Sequence, residues 1–417
     1  MSTAPGPADT PAAPAASLVG TEFEADIGNV AHGGHCVTRH DGRVVFVRHT
    51  LPGERVRVRV TRGREGDRFL LGDAVEVIEP SPHRRPPPCP FSGPGRCGGC
   101  DWQHVDLPYQ RELKSAVVTE QLHRLGGLDL DVRVEPVPGD TAGLRWRTRV
   151  EFAVDGFSRA GLRRHHSHDV IRVDDCLIAT EAVVASGVLD REWPGADSVD
   201  VVDPGGGAPA QVVPVRHGKA SAGDVVQRVD TGSWSAEFRL SARGFWQVHP
   251  GAAATLVDAV LEPLAPAAGE RAIDLYAGVG LFARARADAV GPGGAVLAVE
   301  SDRRAVRDAG RNVADLPQVE VRHAKVDRAL RPLVRQGITA DVVVLDPPRT
   351  GAGRSVVRDL AALQPRAVAY VACDPAALAR DLAYAQQVGF AVRSVRAFDA
   401  FPMTHHVECV AILEPAG

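Results

Sequence analysis

The sequence contains little lysine and no long apolar run. Only three residues of 417 are lysine (Lys114, Lys219 and Lys325), so arginine carries nearly all of the positive charge. No apolar stretch approaches the roughly 20 residues that a membrane-spanning helix needs, and we therefore expect no membrane partner. The formal net charge of −4 argues against a protein that coats nucleic acid indiscriminately. An RNA-binding groove on one face remains compatible with it, because the distribution of charge matters more than its sum.

The first residues also lack the features of a signal peptide. Residues 1–18 are rich in Ala, Pro, Ser and Thr, without a basic start or an apolar core, and predict a disordered tail. The expected location is therefore the cytoplasm, where seven cysteines are better candidates for metal ligands or nucleophiles than for disulfides. A length of 417 residues, 44% of them hydrophobic and 24% charged, predicts an ordinary globular protein of two or three domains.

Residues 19–80 predict a small β-barrel, because short alternating stretches are separated by Gly and Pro-Gly. In Arg55–Val60 the alternation places three valines inward and three arginines outward. That arginine face is either an ordinary solvated surface or a phosphate-contacting surface of an oligonucleotide-binding (OB) type barrel. The pattern resembles a TRAM domain, a small RNA-binding barrel found with RNA-modifying enzymes.

Three thiols lie close together in a glycine-rich loop, at Cys89, Cys97 and Cys100. This density is typical of a metal-binding loop rather than of core packing. A fourth ligand is needed, and Cys176 is the best candidate. Four thiolates suit either a structural zinc ion or a [4Fe–4S] cluster, and the spacing does not separate the two.

The region around these cysteines, residues 81–243, predicts a central, β-rich, RNA-binding domain. Helical spacing over 107–125 indicates a helix, and 144–152 alternates as a strand. The strand would place Arg145, Arg147 and Arg149 on one face, as part of a basic surface. An ordinary surface face is the alternative for each arginine.

From residue 244 onward, strands alternate with helices, which is typical of an α/β domain. A helix is predicted over Ala252–Leu264. The glycine turn after Asp274 lacks the full dinucleotide pattern, but Glu300 ends the next strand, where an acidic residue can accept the ribose hydroxyls of an adenosyl ligand. Together these features resemble the class I S-adenosylmethionine methyltransferase fold, a Rossmann-like domain over 244–417.

Two further strand ends carry candidate chemistry. One strand ends in Asp-Pro-Pro-Arg at 346–349, where amino-methyltransferases of this fold have an aromatic residue in place of Arg349. The next, Val368–Ala372, delivers Cys373 to the carboxyl edge of the sheet, where ligands of open α/β sheets bind. Taken alone, Cys373 is more readily an inert buried thiol than a nucleophile.

The motifs together resemble the RNA uracil-C5 methyltransferase family over nearly the whole chain. The matching segments are Asp346-Pro-Pro-Arg, Ala372-Cys-Asp-Pro375, His405-His-Val-Glu408, Gln247 and the glycine turn Asp274–Gly280. The resemblance implies Cys373 as the nucleophile and Glu408 as the general base. It also implies cofactor contacts by Gln247, Tyr276, Glu300 and Asp346, and a [4Fe–4S] cluster on Cys89, Cys97, Cys100 and Cys176.

The expected reaction is S-adenosylmethionine-dependent formation of 5-methyluridine in RNA, by a monomer. Large-subunit (23S) ribosomal RNA is the preferred target, with transfer RNA as the alternative. Two other functions stay open: a non-catalytic RNA-binding iron–sulfur protein, and an amino-methyltransferase acting on adenine or guanine. Arg349 and Cys373 both count against the last.

Overall fold

The computed structural model describes residues 16–417, which form two compact units. The first comprises the described chain up to Ala31 together with His35–Arg84. The second comprises Arg85–Gly417 and the short segment His32–Gly34. Most of the predicted tail, residues 1–15, lies outside the described residues. No helix in residues 16–417 is long and apolar enough to cross a membrane.

The first unit contains one five-stranded sheet. Its strands are β1 (Glu22–Asp26), β2 (Cys36–His40), β3 (Arg43–Arg48), β4 (Arg55–Arg62) and β5 (Phe69–Glu79), in the order β1-β4-β5-β3-β2. The Leu18 amide donates to the carbonyl of Gly63 at 3.0 Å. The described part of this unit therefore includes a residue that the sequence prediction assigned to the tail.

Strand β4 alternates as the sequence predicts, because Val56, Val58 and Val60 are buried in the core. Its outward arginines are paired with acidic residues of neighbouring strands. Arg59 lies 2.7 Å from Glu22, and Arg57 lies 3.0 Å from Glu76. These ion pairs favour the solvated-surface interpretation over the phosphate-contacting one.

The second unit begins with an irregular cysteine-containing loop and helix α1 (Leu107–Gly126). The carboxylate of Asp106 caps the helix by accepting from the amide of Tyr109, and Gly127 ends it in a left-handed conformation. The predicted helix is therefore present, with Val118 and Leu122 in the core.

A small antiparallel sheet and a hairpin follow the helix. The elements are β6 (Val134–Pro136), β7 (Arg149–Val154), β8 (Ala160–Arg163), β9 (Val170–Ile171), α2 (Glu181–Ala185), β10 (Ser198–Val202), β11 (Gln211–Val215), β12 (Asp224–Asp230) and β13 (Ser235–Ser241). The sheet order is β11-β10-β7-β8-β9, and β12 pairs with β13.

The predicted strand over 144–152 is shorter in the structure, and its arginines do not share one face. Arg145 has a left-handed backbone (φ 56°) and makes a bidentate ion pair with Asp175 at 2.6 and 2.9 Å. Arg149 instead turns inward and donates to the carbonyls of Ala242 and Gly244. The prediction of a continuous arginine surface here is wrong, because these two side chains are committed to structural contacts.

The rest of the chain alternates strands and helices. Its helices are α3 (Ala252–Leu264), α4 (Leu281–Val290), α5 (Arg303–Asn312), α6 (Val326–Arg335), α7 (Arg354–Ala361) and α8 (Pro375–Gln387). Its strands are β14 (Arg271–Leu275), β15 (Ala295–Glu300), β16 (Val319–His323), β17 (Val342–Leu345), β18 (Ala367–Ala372), β19 (Phe390–Asp399) and β20 (Glu408–Pro415).

These strands and β6 form one eight-stranded sheet in the order β16-β15-β14-β17-β18-β20-β19-β6. Strands β14–β18 are parallel, and β20 runs antiparallel to both of its neighbours. Both faces of the sheet are buried: Val344 packs in one apolar layer and its neighbour Leu345 in the other. The strand order reverses between β14 and β17, which is where such sheets bind ligands.

Candidate active site

The carboxyl ends of three parallel strands bring three predicted residues to one edge. In the strand register Leu275 lies beside Val299 on one side and Leu345 on the other. Each of these residues ends or nearly ends its strand, so the residues that follow, Tyr276, Glu300 and Asp346, meet at the edge. The sequence could predict this because parallel strands align their carboxyl ends.

A cavity of about 350 Å³ opens at this edge, lined by Tyr276, Glu300, Lys325 and Asp327 among others. Its volume lies in the range of small-ligand sites, roughly 300–1,000 Å³. Three amides fix the carboxylate of Glu300, those of Gly278 (3.0 Å), Ser301 (2.6 Å) and Asp302 (2.7 Å). Glu300 is thus held rigidly at the mouth of a ligand-sized cavity.

The other two predicted cofactor contacts are placed differently. Asp346 donates its amide to the carbonyl of Leu275 at 3.2 Å, but it is not among the residues that line this cavity. Burial, with the nearby charge of Asp274, raises the pKa of Asp346 to about 7. Gln247 is half-buried in the segment between β13 and α3, and it too is absent from the cavity lining.

Asp274, which precedes the glycine turn, is buried beneath the site. It is fully enclosed and lies 3.7 Å from the buried guanidinium of Arg286. Burial raises the pKa of Asp274 to about 6, and Arg286 opposes that rise. Its position supports the turn from below, whereas Glu300 has the ligand-facing position.

Cys373 follows the last residue of β18, Glu408 begins the antiparallel strand β20, and the charge of Glu408 acts on the Cys373 thiol. Ala372 of β18 is paired with Cys409 of β20, so one step further along the ladder Cys373 lies opposite Glu408. Residues opposite each other in an antiparallel pair point to the same face of the sheet. The reversed direction of β20 therefore brings a residue at the amino end of a strand to the carboxyl edge of the sheet.

The electrostatics of this pair are set by burial and by one cation. Burial is the main cause that raises the pKa of Glu408 well above its ordinary value, and Asp346 adds to the rise. Burial also raises the pKa of the Cys373 thiol to about 11, reinforced by Glu408. The Arg349 guanidinium lowers both values. Among the described residues, Arg349 forms no ion pair within 4 Å, and its charge acts on both the thiol and the carboxyl.

A second cavity, of about 170 Å³, lies beside this thiol. Arg349, Cys373 and Asp374 line it together with Trp102, His405 and His406. His405 is held by Asp101, whose carboxylate lies 2.6 Å from Nδ1. The Nε2 atom of His32, another lining residue, lies 3.1 Å from the Asp374 carboxylate. The cavity is therefore small, and charged and polar side chains line it together with the thiol.

The four predicted metal ligands lie in one region of the second unit, near enough for their charges to interact. Cys100 and Cys176 belong to the same apolar cluster, and the charges of the four thiols act on one another. The Gly99 amide donates to Cys97 Sγ at 3.4 Å, and Gln103 Nε2 donates to Cys100 Sγ at 3.4 Å. Across residues 16–417, however, no group of three or more His, Cys, Asp or Glu side chains is placed to hold a metal ion. The metal assignment stays a prediction.

Several residues of the site were not identified from the sequence. Arg349 was noted in the sequence only because it replaces the aromatic residue of amino-methyltransferases. Its effect as a cation on Cys373 was not predicted. Asp101 and His32 lie far along the chain from the residues they contact, and no local pattern marks them. The Asp381 carboxylate, which accepts from the amides of Ala352 and Gly353, is likewise found only from its contacts.

Two family comparisons cover most of the chain. Residues 16–75 match the TRAM domain family, and residues 224–416 match the tRNA (uracil-5-)-methyltransferase family. Among solved structures, a tRNA (uracil-54, C5)-methyltransferase of Pyrococcus abyssi, crystallised with S-adenosyl-L-homocysteine, has a similar fold. Its TM-score is 0.70 at 21% identity, covering 94% of this chain and 100% of that chain.

Full-length relatives are more similar in sequence. A protein of Streptomyces coelicolor named an uncharacterized RNA methyltransferase is 52% identical, covering 96% of this chain and 94% of that protein. A protein of the same description from Bifidobacterium longum is 38% identical over 94% and 96% of the two chains. The predicted methyltransferase-type α/β fold and the N-terminal TRAM domain are confirmed; an iron–sulfur domain is not shown. The chain belongs to the RNA (uracil-5-)-methyltransferase family, and it is an enzyme of that family.

Proposed function

We propose that this protein forms 5-methyluridine in RNA, with Cys373 as the nucleophile and Glu408 as the general base. The observation that carries the proposal is the strand register, which extended by one step sets Glu408 opposite Cys373, a residue that lines a 170 Å³ cavity. A half-buried thiol near a buried carboxyl, both with raised pKa values, is typical of functional sites. The family supplies the reaction class, and the geometry supplies the two groups that it needs.

We propose that S-adenosylmethionine binds in the 350 Å³ cavity, with Glu300 accepting ribose hydroxyls and Tyr276 beside it. Two observations support the fit. Three amides hold the Glu300 carboxylate in place, and the glycine turn 274–280 contains no arginine or lysine that would bind a pyrophosphate, a group that this cofactor lacks. When bound, this cofactor supplies an electrophilic methyl group. Gln247 and Asp346 are proposed as further contacts on the motif match alone.

The chain's own residues perform the remaining steps. The Cys373 thiolate adds to carbon 6 of uracil, which moves electron density to carbon 5 and makes it nucleophilic. Once carbon 5 carries the methyl group, the Glu408 carboxylate removes the proton from carbon 5. The electron pair of that bond re-forms the double bond between carbons 5 and 6 and expels Cys373 as a thiolate. A raised pKa suits Glu408 to this step, because its carboxylate is a stronger base than an exposed one.

The target uridine must leave its stack to reach both groups, because neither can enter a stacked helix. We propose that the substrate is 23S ribosomal RNA, as the TRAM domain and the four cysteines favour. Transfer RNA is the second candidate, because the matching family is named for it. Methylation of purified ribosomal RNA and unfractionated transfer RNA in parallel separates the two.

We further propose that Cys89, Cys97, Cys100 and Cys176 hold a [4Fe–4S] cluster with a structural role. The N–H groups donated to Cys97 and Cys100 support this, because such hydrogen bonds surround cluster thiolates. Methyl transfer to carbon 5 needs no electron, so these residues would stabilise the fold around the RNA rather than react. That the protein acts as a monomer in the cytoplasm stays a prediction.

The decisive experiment is nucleoside analysis of RNA incubated with the purified protein and methyl-labelled S-adenosylmethionine. We expect label only in 5-methyluridine, and none with Cys373→Ala. Label in methylated adenosine or guanosine would instead support an amino-methyltransferase. A folded protein that binds RNA but transfers no label to either RNA pool would support the non-catalytic alternative.

A further inference from the structure

The loop that carries Arg349 is anchored by one buried carboxylate, that of Asp381 in α8. Asp381 Oδ2 accepts from the amides of Ala352 (2.6 Å) and Gly353 (3.1 Å) and from the hydroxyl of Tyr370 (2.6 Å). Asp381 is 3% exposed, so these contacts are closed to water. Charge-assisted hydrogen bonds of this kind are about twice as strong as neutral ones.

The loop is built to fit this carboxylate. Gly351 has a left-handed backbone (φ 85°), and a Cβ there would lie 2.7 Å from Asp381 Oδ2. Gly353 also has a positive φ, 81°, and points its amide at the same carboxylate. Gly351 permits a close approach that a side chain would prevent, and Gly353 supplies a left-handed backbone that other residues rarely adopt. The presence of glycine at these two positions after Asp-Pro-Pro-Arg is therefore explained by the conformation of the loop around Asp381.

The anchored loop faces both cavities. Arg349, at its start, lines the 170 Å³ cavity that contains Cys373. Ala352, which Asp381 holds directly, lines the 350 Å³ cavity at the ends of β14 and β15. A shift of this short loop would consequently displace a cation beside the thiol and part of the wall of the cofactor cavity.

We propose that Asp381 is a positioning residue: by fixing the loop 349–353 it keeps the Arg349 guanidinium beside Cys373, where it favours the thiolate. This inference deepens the proposed function and rests on Cys373 being the nucleophile. Asp381 touches neither RNA nor cofactor in this proposal, and acts only through the loop. Tyr370 assists, since its hydroxyl donates to Asp381 and accepts from the amide of Ala352 at 3.1 Å.

The charged surroundings of Cys373 decide how the proposal is tested. Arg349 favours the thiolate, whereas Glu408 and Asp346 oppose it. The other titratable groups that line its cavity are His32, Asp374, His405 and His406. Because an opposite charge within about 4–6 Å lowers an acid's pKa by roughly 1–3 units, displacing Arg349 should raise the pKa of the thiol.

The experiment follows alkylation of Cys373 by iodoacetamide against pH, with the modified peptide quantified by mass spectrometry in the full-length protein. Only the thiolate reacts, so the midpoint of the profile reports the thiol pKa. For Asp381→Asn we expect the midpoint to move to higher pH by about one unit. The carboxamide NH₂ of asparagine cannot accept hydrogen bonds from the two loop amides and the Tyr370 hydroxyl, so the loop is released. Arg349→Gln should move it in the same direction.

Asp359→Asn is the matched control. Asp359 is a buried acid of the adjacent helix α7, 6% exposed, and it accepts a hydrogen bond from Arg358 at 2.7 Å. We expect its profile to coincide with that of the unmodified protein. Tyr370→Phe removes a single hydroxyl and should give a smaller shift in the same direction. It carries the test if Asp381→Asn does not fold.

A folded Asp381→Asn protein with an unchanged midpoint would overturn the proposal, as would an equal shift in Asp359→Asn. Failure of the proposed function would give a different result from failure of this inference. If the protein made no 5-methyluridine but the midpoint still shifted, Asp381 would position Arg349 and the assignment of the reaction would be at fault. A shift accompanied by lost methylation would support both.

Discussion

Cys373 and the four central cysteines (Cys89, Cys97, Cys100 and Cys176) all have raised thiol pKa values, but their neighbours differ. Burial raises the pKa of Cys373 and of the four central thiols alike. Around Cys373 lie a guanidinium and two carboxyl groups beside a cavity; Cys97 and Cys100 instead accept N–H groups in an irregular loop. The pKa shift alone does not distinguish a nucleophile from a ligand. The roles proposed for these cysteines rest on the neighbouring charges and on the cavity.

The strongest test of this contrast is Cys373→Ala against Cys409→Ala. Removing a covalent nucleophile should lower methyl transfer by about 10⁴-fold or more, whatever the RNA. Cys409 is the matched control, because it is fully buried, adjacent to Glu408 and outside the cavity lining. We expect it to keep most of its activity, measured as labelled 5-methyluridine. Equal losses in both variants would contradict the special role of Cys373.

Glu408→Gln should give the next largest effect. Loss of a general base costs about 10²–10⁴-fold, and here the step lost comes after the covalent bond has formed. We therefore expect a Glu408→Gln protein to accumulate a covalent complex with ordinary RNA, visible as a shifted band under denaturing conditions. A variant that is slow but never forms this complex would place Glu408 in an earlier step.

A buried ion pair joins helix α1, which follows the cysteine-containing loop, to the end of β19. Its removal should lower the stability of the protein. Lys114 of α1 lies 2.5 Å from Asp399 and 3.1 Å from the carbonyl of Phe401, shortly before Glu408. Lys114→Met leaves Asp399 buried without its partner and should lower the free energy of unfolding by about 3–5 kcal/mol. Denaturant unfolding measures this. Adding Asp399→Leu should restore part of the loss, and no recovery would mean that packing rather than charge is responsible.

The four central cysteines predict a dependence on iron. Cys176→Ala should abolish iron binding and lower the melting temperature, because metal binding energy is also folding energy. Iron and sulfide content per chain, measured on anaerobically purified protein, checks the first part. Cys36→Ala, a buried thiol of the first unit, should leave the iron content unchanged. An unmodified protein that never contains iron, or contains zinc instead, would contradict the cluster.

The smallest effect is expected on the arginine face of the first unit. Arg59 and Glu22 are 54% and 37% exposed, so Arg59→Gln should change the free energy of unfolding by less than about 1 kcal/mol. Since Arg59 is already paired, we also expect RNA affinity, measured by filter binding at fixed salt, to change little. A large loss of affinity would restore the phosphate-contacting interpretation of this face.

Much of the fold was predictable because it depends on local periodicity. The alternation in β4 and the helical spacing of α1 both reappear as buried faces. The parallel edge of the sheet was equally predictable, since parallel strands align Tyr276, Glu300 and Asp346 without any long-range information.

The antiparallel insertion of β20 was not predictable in this way. No local pattern reveals that Glu408 starts a strand running back along β18, and only the register Ala372–Cys409 places it opposite Cys373. Arginines were also misjudged, because alternation says where a side chain points but not whether it is paired. Arg145 meets Asp175 thirty residues away. Pairing of this kind depends on tertiary structure.

The central claim is that Cys373 bonds covalently to carbon 6 of a uracil ring. It is tested most directly by incubating the protein with RNA containing 5-fluorouridine and S-adenosylmethionine, then mapping the modified peptide by mass spectrometry. Fluorine cannot leave as a cation, so Glu408 has no proton to remove and the complex should persist, with the nucleotide on Cys373. Attachment to any other residue, or methylation of this RNA without a trapped complex, would contradict the account.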